Sequence, residues 1–317
     1  MADDAEDGAP HTGAGRVAVT GGSGKLGRAV VADLLAHGWE VYNLDQAPPP
    51  STAPPEPPFP PDPQRPRAAF VRVDLTDYGQ VVGALAAIDD RHRGLDAVVH
   101  LAAIPAPGLR PNAATFANNI LSSYNVFAGA RQAGIRNVVW ASSETVLGLP
   151  FDTPPPYIPV DEEYPARPES SYSLAKHLDE QMAAQFARWD PQLKIIGLRL
   201  SNVMDPHDYA AFPAFDADPA LRKWNLWSYI DARDGAQAVR LALQHPNPGF
   251  AVFVIANADT VMATRTSADL AAEVYPGVPV TKELEPHETL LSIDKARRVL
   301  GYEPRHSWRG EPRTEQE

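Results

Sequence analysis

The feature that most constrains this chain is a glycine cluster, TGGSGKLGR, set between an apolar stretch and an amphipathic one. RVAVTGG (Arg16 to Gly22) has the composition of a short buried strand, and KLGRAVVADLLAHG (Lys25 to Gly38) carries apolar residues at helical spacing and stops at a glycine. WEVYNLD (Trp39 to Asp45) then reads as a second strand, so the chain is predicted to open as a β-α-β unit. Gly21, Gly22, Gly24 and Gly27 satisfy G-x-G-x-x-G counted from Gly22 and G-x-x-G-x-x-G counted from Gly21. In either register glycine allows a tight turn and a close approach of backbone to phosphate, and the helix start beyond it offers unpaired N–H groups to an anion.

The alternation continues. AAFVRVDL, LDAVVHLAA, IRNVVWASS, LKIIGLRLSNV and FAVFVIAN read as further strands, most of them continuously apolar, as strands covered on both faces must be. Helices are predicted over Tyr78 to Ile88, Ala113 to Ala133, Ser173 to Trp189 and Ala232 to Leu243. The expected fold class is α/β: a Rossmann-type, doubly wound, mostly parallel sheet with a small C-terminal substrate-binding region. Pro48 to Pro66 holds too many prolines for a central strand or regular helix, and is expected to be an extended excursion from the second strand. It is either exposed to solvent, or lines the adenosine side or a protein contact.

Composition removes several function classes. The 317 residues suffice for a sizeable core, and the absence of cysteine excludes disulfides, thiolate metal sites and cysteine nucleophiles. The nine histidines form no HExxH or other close ligand cluster, so no metal is expected. A formal charge of -12 argues against a broad nucleic-acid face. No apolar run approaches the roughly eighteen residues of a membrane helix, and the first residues are acidic where a secretory signal is basic. A cytoplasmic location without membrane partners is expected.

The glycine turn is expected to bind a dinucleotide. A Walker loop needs Ser or Thr after its lysine, whereas Leu26 follows Lys25. Asp45 ends the second strand eighteen residues after Gly27, where a carboxylate accepts hydrogen bonds from both ribose hydroxyls and repels a 2′-phosphate; NAD is preferred over NADP. Asp74 and Leu75 flank the adenine, unless Asp74 simply caps the next helix. The expected division is a flexible leader over 1–15, an NAD-binding core over 16–200, a mixed region over 201–310 that completes the core and caps the substrate, and a flexible tail over 311–317.

Tyr172 and Lys176 lie four apart in SSYSLAKHLDEQMAAQF and share a helix face. A phenol near a lysine ammonium and a positive nicotinamide ring is expected to ionise more easily than a free one, making Tyr172 an acid/base. Ser143, in ASSETV at the end of the strand IRNVVW, stands where open sheets present chemistry and can hold a reacting oxygen opposite the phenol. No G-x-S-x-G surrounds it, so it reads as a positioner rather than a nucleophile. Ser142 and Thr145 either orient this loop or satisfy backbone groups. His100 ends the fourth strand and is expected to shape the nicotinamide side of the cleft.

TGGSGKLG, Asp45, Asp74, HLAA, Asn119, ASSETV, YSLAK and RLSNV together resemble the extended short-chain dehydrogenase/reductase superfamily, in its NAD-dependent epimerase/dehydratase group, over about residues 16 to 302. The resemblance implies that Gly21, Gly24, Lys25, Leu26, Gly27, Leu101, Ala102, Ala103 and Asn119 serve the NAD site along with Asp45, Asp74 and Leu75. It implies that Tyr172 is the catalytic acid/base, that Lys176 binds the nicotinamide ribose, and that Asn119 supports that lysine. Arg199 and Asn202 match a region bordering nicotinamide and substrate, and Glu144 and Thr145 follow Ser143 toward the substrate. Related dehydratases carry Asp-Glu where this chain has Glu144-Thr145, which disfavours dehydration; Ser143-x-Thr145-Val146 keeps a nucleotide-sugar 4-epimerase in play.

About twenty-five residues separate Asn202 from SYIDARDGAQAV, and this compact segment resembles uronate dehydrogenases. Arg222 or Lys223 is then expected to pair with a substrate carboxylate, or else to end a solvated helix. Trp224 and Trp227 form either a sugar-stacking wall or core. The expected activity is NAD-dependent oxidation of a hydroxyl or hemiacetal carbon of a sugar, uronic acid or small polyol. The alternatives are 4-epimerisation through a keto intermediate and a noncatalytic NAD-binding scaffold. The resemblance also implies a homodimer through the helices that carry Asn119 and Tyr172.

Overall fold

The computed structural model describes residues 15–50, 68–86 and 94–310. The leader to residue 14, most of the proline-rich segment, Ile88 at the end of an expected helix, and the tail from 311 lie outside them. Strands β1 (Gly15–Thr20), β2 (Trp39–Asp45), β3 (Ala69–Arg72), β4 (Ala97–His100), β5 (Asn137–Ser143) and β6 (Lys194–Leu200) alternate with helices. These helices are α1 (Lys25–Ala36), α2 (Tyr78–Ala86), α3 (Asn112–Gln132) and α4 (Ser171–Trp189). After two-residue strands β7 (Val203–Met204) and β8 (Ile230–Asp231) come α5 (Ala232–Gln244), β9 (Gly249–Ile255), α6 (Ser267–Val274) and α7 (Asp294–Leu300).

Seven strands form one parallel sheet in the order β3-β2-β1-β4-β5-β6-β9. Strand direction of winding reverses between β1 and β4, the place where an open α/β sheet leaves a crevice for ligands. The reason both faces are covered is visible within β1 itself. Val17 and Val19 join the core layer that contains Val30 of α1 and Val239 of α5, while Ala18 between them joins the opposite layer with Val126 of α3 and Phe186 of α4. This is the expected Rossmann-type, doubly wound α/β fold with an added C-terminal region. Among the described residues no helix is long and apolar enough to cross a membrane.

Two boundaries differ from the sequence reading in ways that shape the site. β1 ends at Thr20 rather than Gly22, because Gly21 turns at φ +70°, where a side chain would be strained. α4 begins at Ser171 because Ser170 and Ser173 form a reciprocal capping box, which places Tyr172 in the first turn. The C-terminal helices α6 and α7 were not expected. With eight and seven residues they show little helical periodicity, and packing rather than propensity forms them.

β7 and β8 pair in parallel and close the neck of the segment between them, which runs through 3₁₀ turns at Pro206–Ala217, Pro219–Leu221 and Lys223–Asn225. Leu226 and Trp227 follow at φ 54° and 57°, a left-handed pair of large residues that is costly unless packing enforces it. Both side chains are fully buried, and the Trp227 indole donates to the Pro219 carbonyl at 2.8 Å.

Candidate active site

A cleft of about 1200 Å³ opens along the C-terminal ends of β1, β2, β4, β5 and β6. Gly21, Gly24 and Gly27 line it and Gly22 does not, so the register counted from Gly21 is the one the fold uses. A Cβ on Gly27 would stand 2.1 Å from the Gly21 carbonyl, and one on Gly21 would stand 2.7 Å from the Ala102 nitrogen. Gly22 instead packs on Asn43 beneath the turn. Gly24 caps α1 without any side-chain hydrogen bond, which leaves the first N–H groups of the helix open to the cleft.

Lys25, Leu26, Leu101, Ala102 and Ala103 lie on the same walls. The Asp45 carboxylate is held by the backbone N–H groups of Ser23 at 3.1 Å and Gln46 at 2.7 Å, and faces the cleft from the end of β2. Asp74 and Leu75 also line it. The Asp74 carboxylate accepts from the Thr76 hydroxyl at 2.7 Å and its N–H at 2.9 Å, so it lies well below the usual carboxylate range and forms a turn; the helix N-terminus is served instead by Asp77, which accepts from the Gln80 N–H. A glycine cradle that any Cβ would fill, an open helix start and a carboxylate at the end of β2 together fit the diphosphate and ribose of a dinucleotide.

At the other end, β5 delivers Ser143 and the first turn of α4 delivers Tyr172, with Lys176 one turn later. All three line the cleft. The Ser143 hydroxyl accepts from the Thr145 hydroxyl at 3.0 Å and the Thr145 N–H at 3.2 Å, and it stands close enough to the Tyr172 phenol to ease its ionisation. Lys176 Nζ donates to the Ala141 carbonyl at 2.7 Å. The expected ease of ionisation is not a property of the protein's own field. Burial pushes the Tyr172 phenol up to about 12, the nearby Ser143 hydroxyl opposes this, and the charges of Asp179 and Glu144 push the same way as burial. Burial likewise holds the Lys176 ammonium below its ordinary value, with Asp179 opposing.

Behind these side chains runs a buried polar chain that the sequence reading missed. Asp179 lies 4.0 Å from Lys176 Nζ and accepts from Ser123 at 2.9 Å; Ser123 lies 3.3 Å from His100 Nε2, and His100 Nδ1 lies 2.7 Å from the Thr20 hydroxyl. Burial, reinforced by Lys176, pushes the His100 imidazole down to about 3, so it is neutral. Expected on the cleft wall, His100 instead stands one layer behind it. Ser142 donates to Glu180 at 2.6 Å, and Glu180 takes Arg199 in a two-pronged pair at 2.8 and 2.9 Å. The spacing of Asp179 and Glu180 from Lys176, three and four residues along one helix, was the available signal.

Four expectations are corrected by the side-chain placement. Asn119 does not reach the cleft: its amide clamps Ile104 by accepting from the N–H at 2.8 Å and donating to the carbonyl at 3.0 Å, while Asn118 and Ser122 line the wall. Arg199, within β6, turns its guanidinium to Glu180 of α4 and does not line the cleft. Arg222 is turned inward by the left-handed pair that follows it, donating to the Ser228 carbonyl at 2.8 Å, and Lys223 lies off the cleft in its 3₁₀ turn. Asn202 and Thr145 do line the cleft, as do Glu144 and Ser201. The two tryptophans divide: Trp224 lines the cleft and Trp227 is core.

Among the described residues one group, Asp205, His207 and Asp208, brings metal-ligand types within 4.8 Å. Lys25 pairs with Asp208 at 2.5 Å and Arg28 stands 4.0 Å from Asp205, so cations of α1 already balance it.

A model of the NAD dependent epimerase/dehydratase family matches residues 17–256. UDP-glucose 4-epimerase from Erwinia amylovora is 31% identical over 218 residues, 68% of this chain and 60% of that protein. UDP-glucose 4-epimerase 2 from Oryza sativa subsp. japonica is 30% identical over 217 residues, 68% of this chain and 50% of that protein. The chain thus spans about half to three fifths of the curated relatives it matches. Among solved structures, a UDP-galactose 4-epimerase superposes with TM-score 0.61 at 26% identity, covering 92% of this chain and 94% of that one. A mutated uronate dehydrogenase shares the fold with TM-score 0.62 at 22% identity, covering 93% and 82%.

Proposed function

The chain belongs to the NAD-dependent epimerase/dehydratase family, and from that premise we propose that it binds NAD in the cleft and oxidises a secondary hydroxyl or hemiacetal carbon of a sugar or similar small polyol. The observation that carries this reading is that Ser143, Tyr172 and Lys176 line the same cleft as the glycine turn. NAD, when bound, supplies the hydride acceptor. Ser143 holds the substrate oxygen, its own lone pairs oriented by Thr145. Tyr172 takes the hydroxyl proton at its phenolic oxygen. Lys176, fixed by the Ala141 carbonyl, lines the cleft one turn along α4 from Tyr172 and offers its ammonium to the nicotinamide ribose. Because burial pushes the phenol up to about 12, its base form is scarce at neutral pH, and oxidation is expected to accelerate as pH rises.

Two net reactions share this step. The cation supply of the cleft favours a dehydrogenase of a compact sugar. Among the described residues lining it, the cations are Lys25, paired with Asp208 at the glycine turn, and Lys176 at the phenol, so none stands ready for the diphosphate of a second nucleotide. The likeness to UDP-glucose 4-epimerases favours the other reading, in which the keto intermediate is reduced again from its opposite face, and the comparisons by themselves weigh toward it.

The test is turnover with NAD of free aldoses, uronic acids and UDP-sugars, following both NADH absorbance and product stereochemistry. Net NADH from a free sugar identifies the dehydrogenase; interconversion of UDP-glucose and UDP-galactose without an absorbance change identifies the epimerase. Tyr172→Phe is expected to lower either rate about 100- to 10,000-fold while NAD still binds. An unchanged rate in that variant removes the proton-transfer role.

A further inference from the structure

We propose that Glu144 sets which sugars this site accepts: its carboxylate, and not the guanidinium of Arg222, lines this corner of the cleft, with Asn225 joining Glu144 to the Ser228 carbonyl that Arg222 also uses, so the substrate is neutral there and presents hydroxyls. The inference rests on the sugar-oxidising reading of the same cleft. Glu144 directly follows Ser143 in the 3₁₀ turn Glu144–Leu147 and lines the cleft with Ser201, Asn202 and Trp224, yet is only 3% exposed. One carboxylate oxygen accepts from the Ser201 hydroxyl at 2.6 Å and the other from the Asn225 amide at 3.2 Å. A carboxylate has about four acceptor positions, so lone pairs remain for substrate hydroxyls.

Arg222, one of the two residues offered for a substrate carboxylate, is engaged in three ways. It donates to the Ser228 carbonyl, its guanidinium lies 4.8 Å from the Trp224 ring and 5.4 Å from that of Phe215, and its charge acts on Glu144. It does not reach the cleft surface; Trp224 covers it and offers the sugar a flat apolar face. A second carboxylate entering this water-poor corner would meet Glu144 before any free cation, and like charges in low dielectric repel strongly. Burial first, against the hydrogen bonds from Ser201 and Asn225 and the charge of Arg222, pushes the Glu144 carboxyl up to about 7, so the charged form is read most clearly in alkaline buffer.

The experiment compares matched pairs that differ only by a carboxylate at C6: glucose with glucuronate, galactose with galacturonate, and UDP-glucose with UDP-glucuronate. For each pair the ratio of kcat/KM is measured with NAD in mildly alkaline buffer. The same ratio is read as binding to the NAD-loaded Tyr172→Phe protein, which defines it even without turnover. The wild-type protein is expected to favour the neutral member of every pair that binds, and Glu144→Gln to shift that ratio about tenfold or more toward the acid. A wild-type preference for the acids, or a ratio unmoved in Glu144→Gln, overturns the inference while leaving sugar oxidation standing. Binding of neutral sugars with no turnover of any pair by wild-type protein overturns the oxidation reading and leaves the selectivity intact.

Discussion

Asp179 shows how much a single buried charge can govern at this site. It has no solvent exposure, stands 4.0 Å from Lys176, and both holds the ammonium charged and makes the Tyr172 phenol harder to ionise. Burial pushes the Asp179 carboxyl itself up to about 7, so in alkaline buffer it is a carboxylate, and removing that charge should ease formation of the phenolate as long as Lys176 keeps its proton. Asp179→Asn is expected to move the acid limb of the oxidation profile to lower pH by about half a unit to one unit. A kcat against pH series checks this, since a purely structural role would lower the rate without moving the limb. Tyr172, Lys176 and Ser143 were legible as residues because their spacing is local: four along a helix and one strand end. Asp179 was within reach by the same spacing, but its counterparts Ser123 and His100 come from α3 and β4, and sequence distance hides them.

At the scale of elements, α4 is the lever that carries the phenol, and it is pinned by a buried ion pair. Glu180 and Arg199 side chains are 4% and 6% exposed, and Ser142 adds a third bond, so α4, β5 and β6 meet at one carboxylate. Breaking one side strands a buried guanidinium. Glu180→Gln is expected to cost about 3–5 kcal/mol, measured by chemical denaturation, whereas replacing both partners with apolar residues should recover part of it. A loss under about 1 kcal/mol would show that the pair does not clamp these elements. The periodicity of α1, α3, α4 and α5 made them readable to within two residues at each end. The short α6 and α7 and the 3₁₀ turns between β7 and β8 were not, because seven or eight residues hold too few turns to show a face.

On the whole molecule, the outer faces of α3 and α4 carry Leu121 and Tyr124, three apart, Leu174 and Leu178, four apart, and Trp189 at the end of α4, each 37% to 49% exposed. This apolar area supports the proposal that two copies pair through these helices, as family resemblance implied. Leu178→Glu is expected to convert a dimer to a monomer in light scattering; a wild-type protein that elutes as a monomer across micromolar concentrations would sink the proposal.

The sequence by itself determined the winding of the sheet, the glycine turn and the candidates Tyr172 and Lys176, because each depends on residues close together in the chain. Only the tertiary structure decided between the two glycine registers, since that choice rests on the clash of Gly27 with the Gly21 carbonyl and of Gly21 with Ala102. It alone reversed the role of Arg222, because a guanidinium can face a ligand or the core with the same local sequence, and the left-handed turn at Leu226 and Trp227 points this one inward. What lines the cleft in its place is Glu144, whose side chain meets Ser201 and Asn225 across long loops that no local pattern predicts.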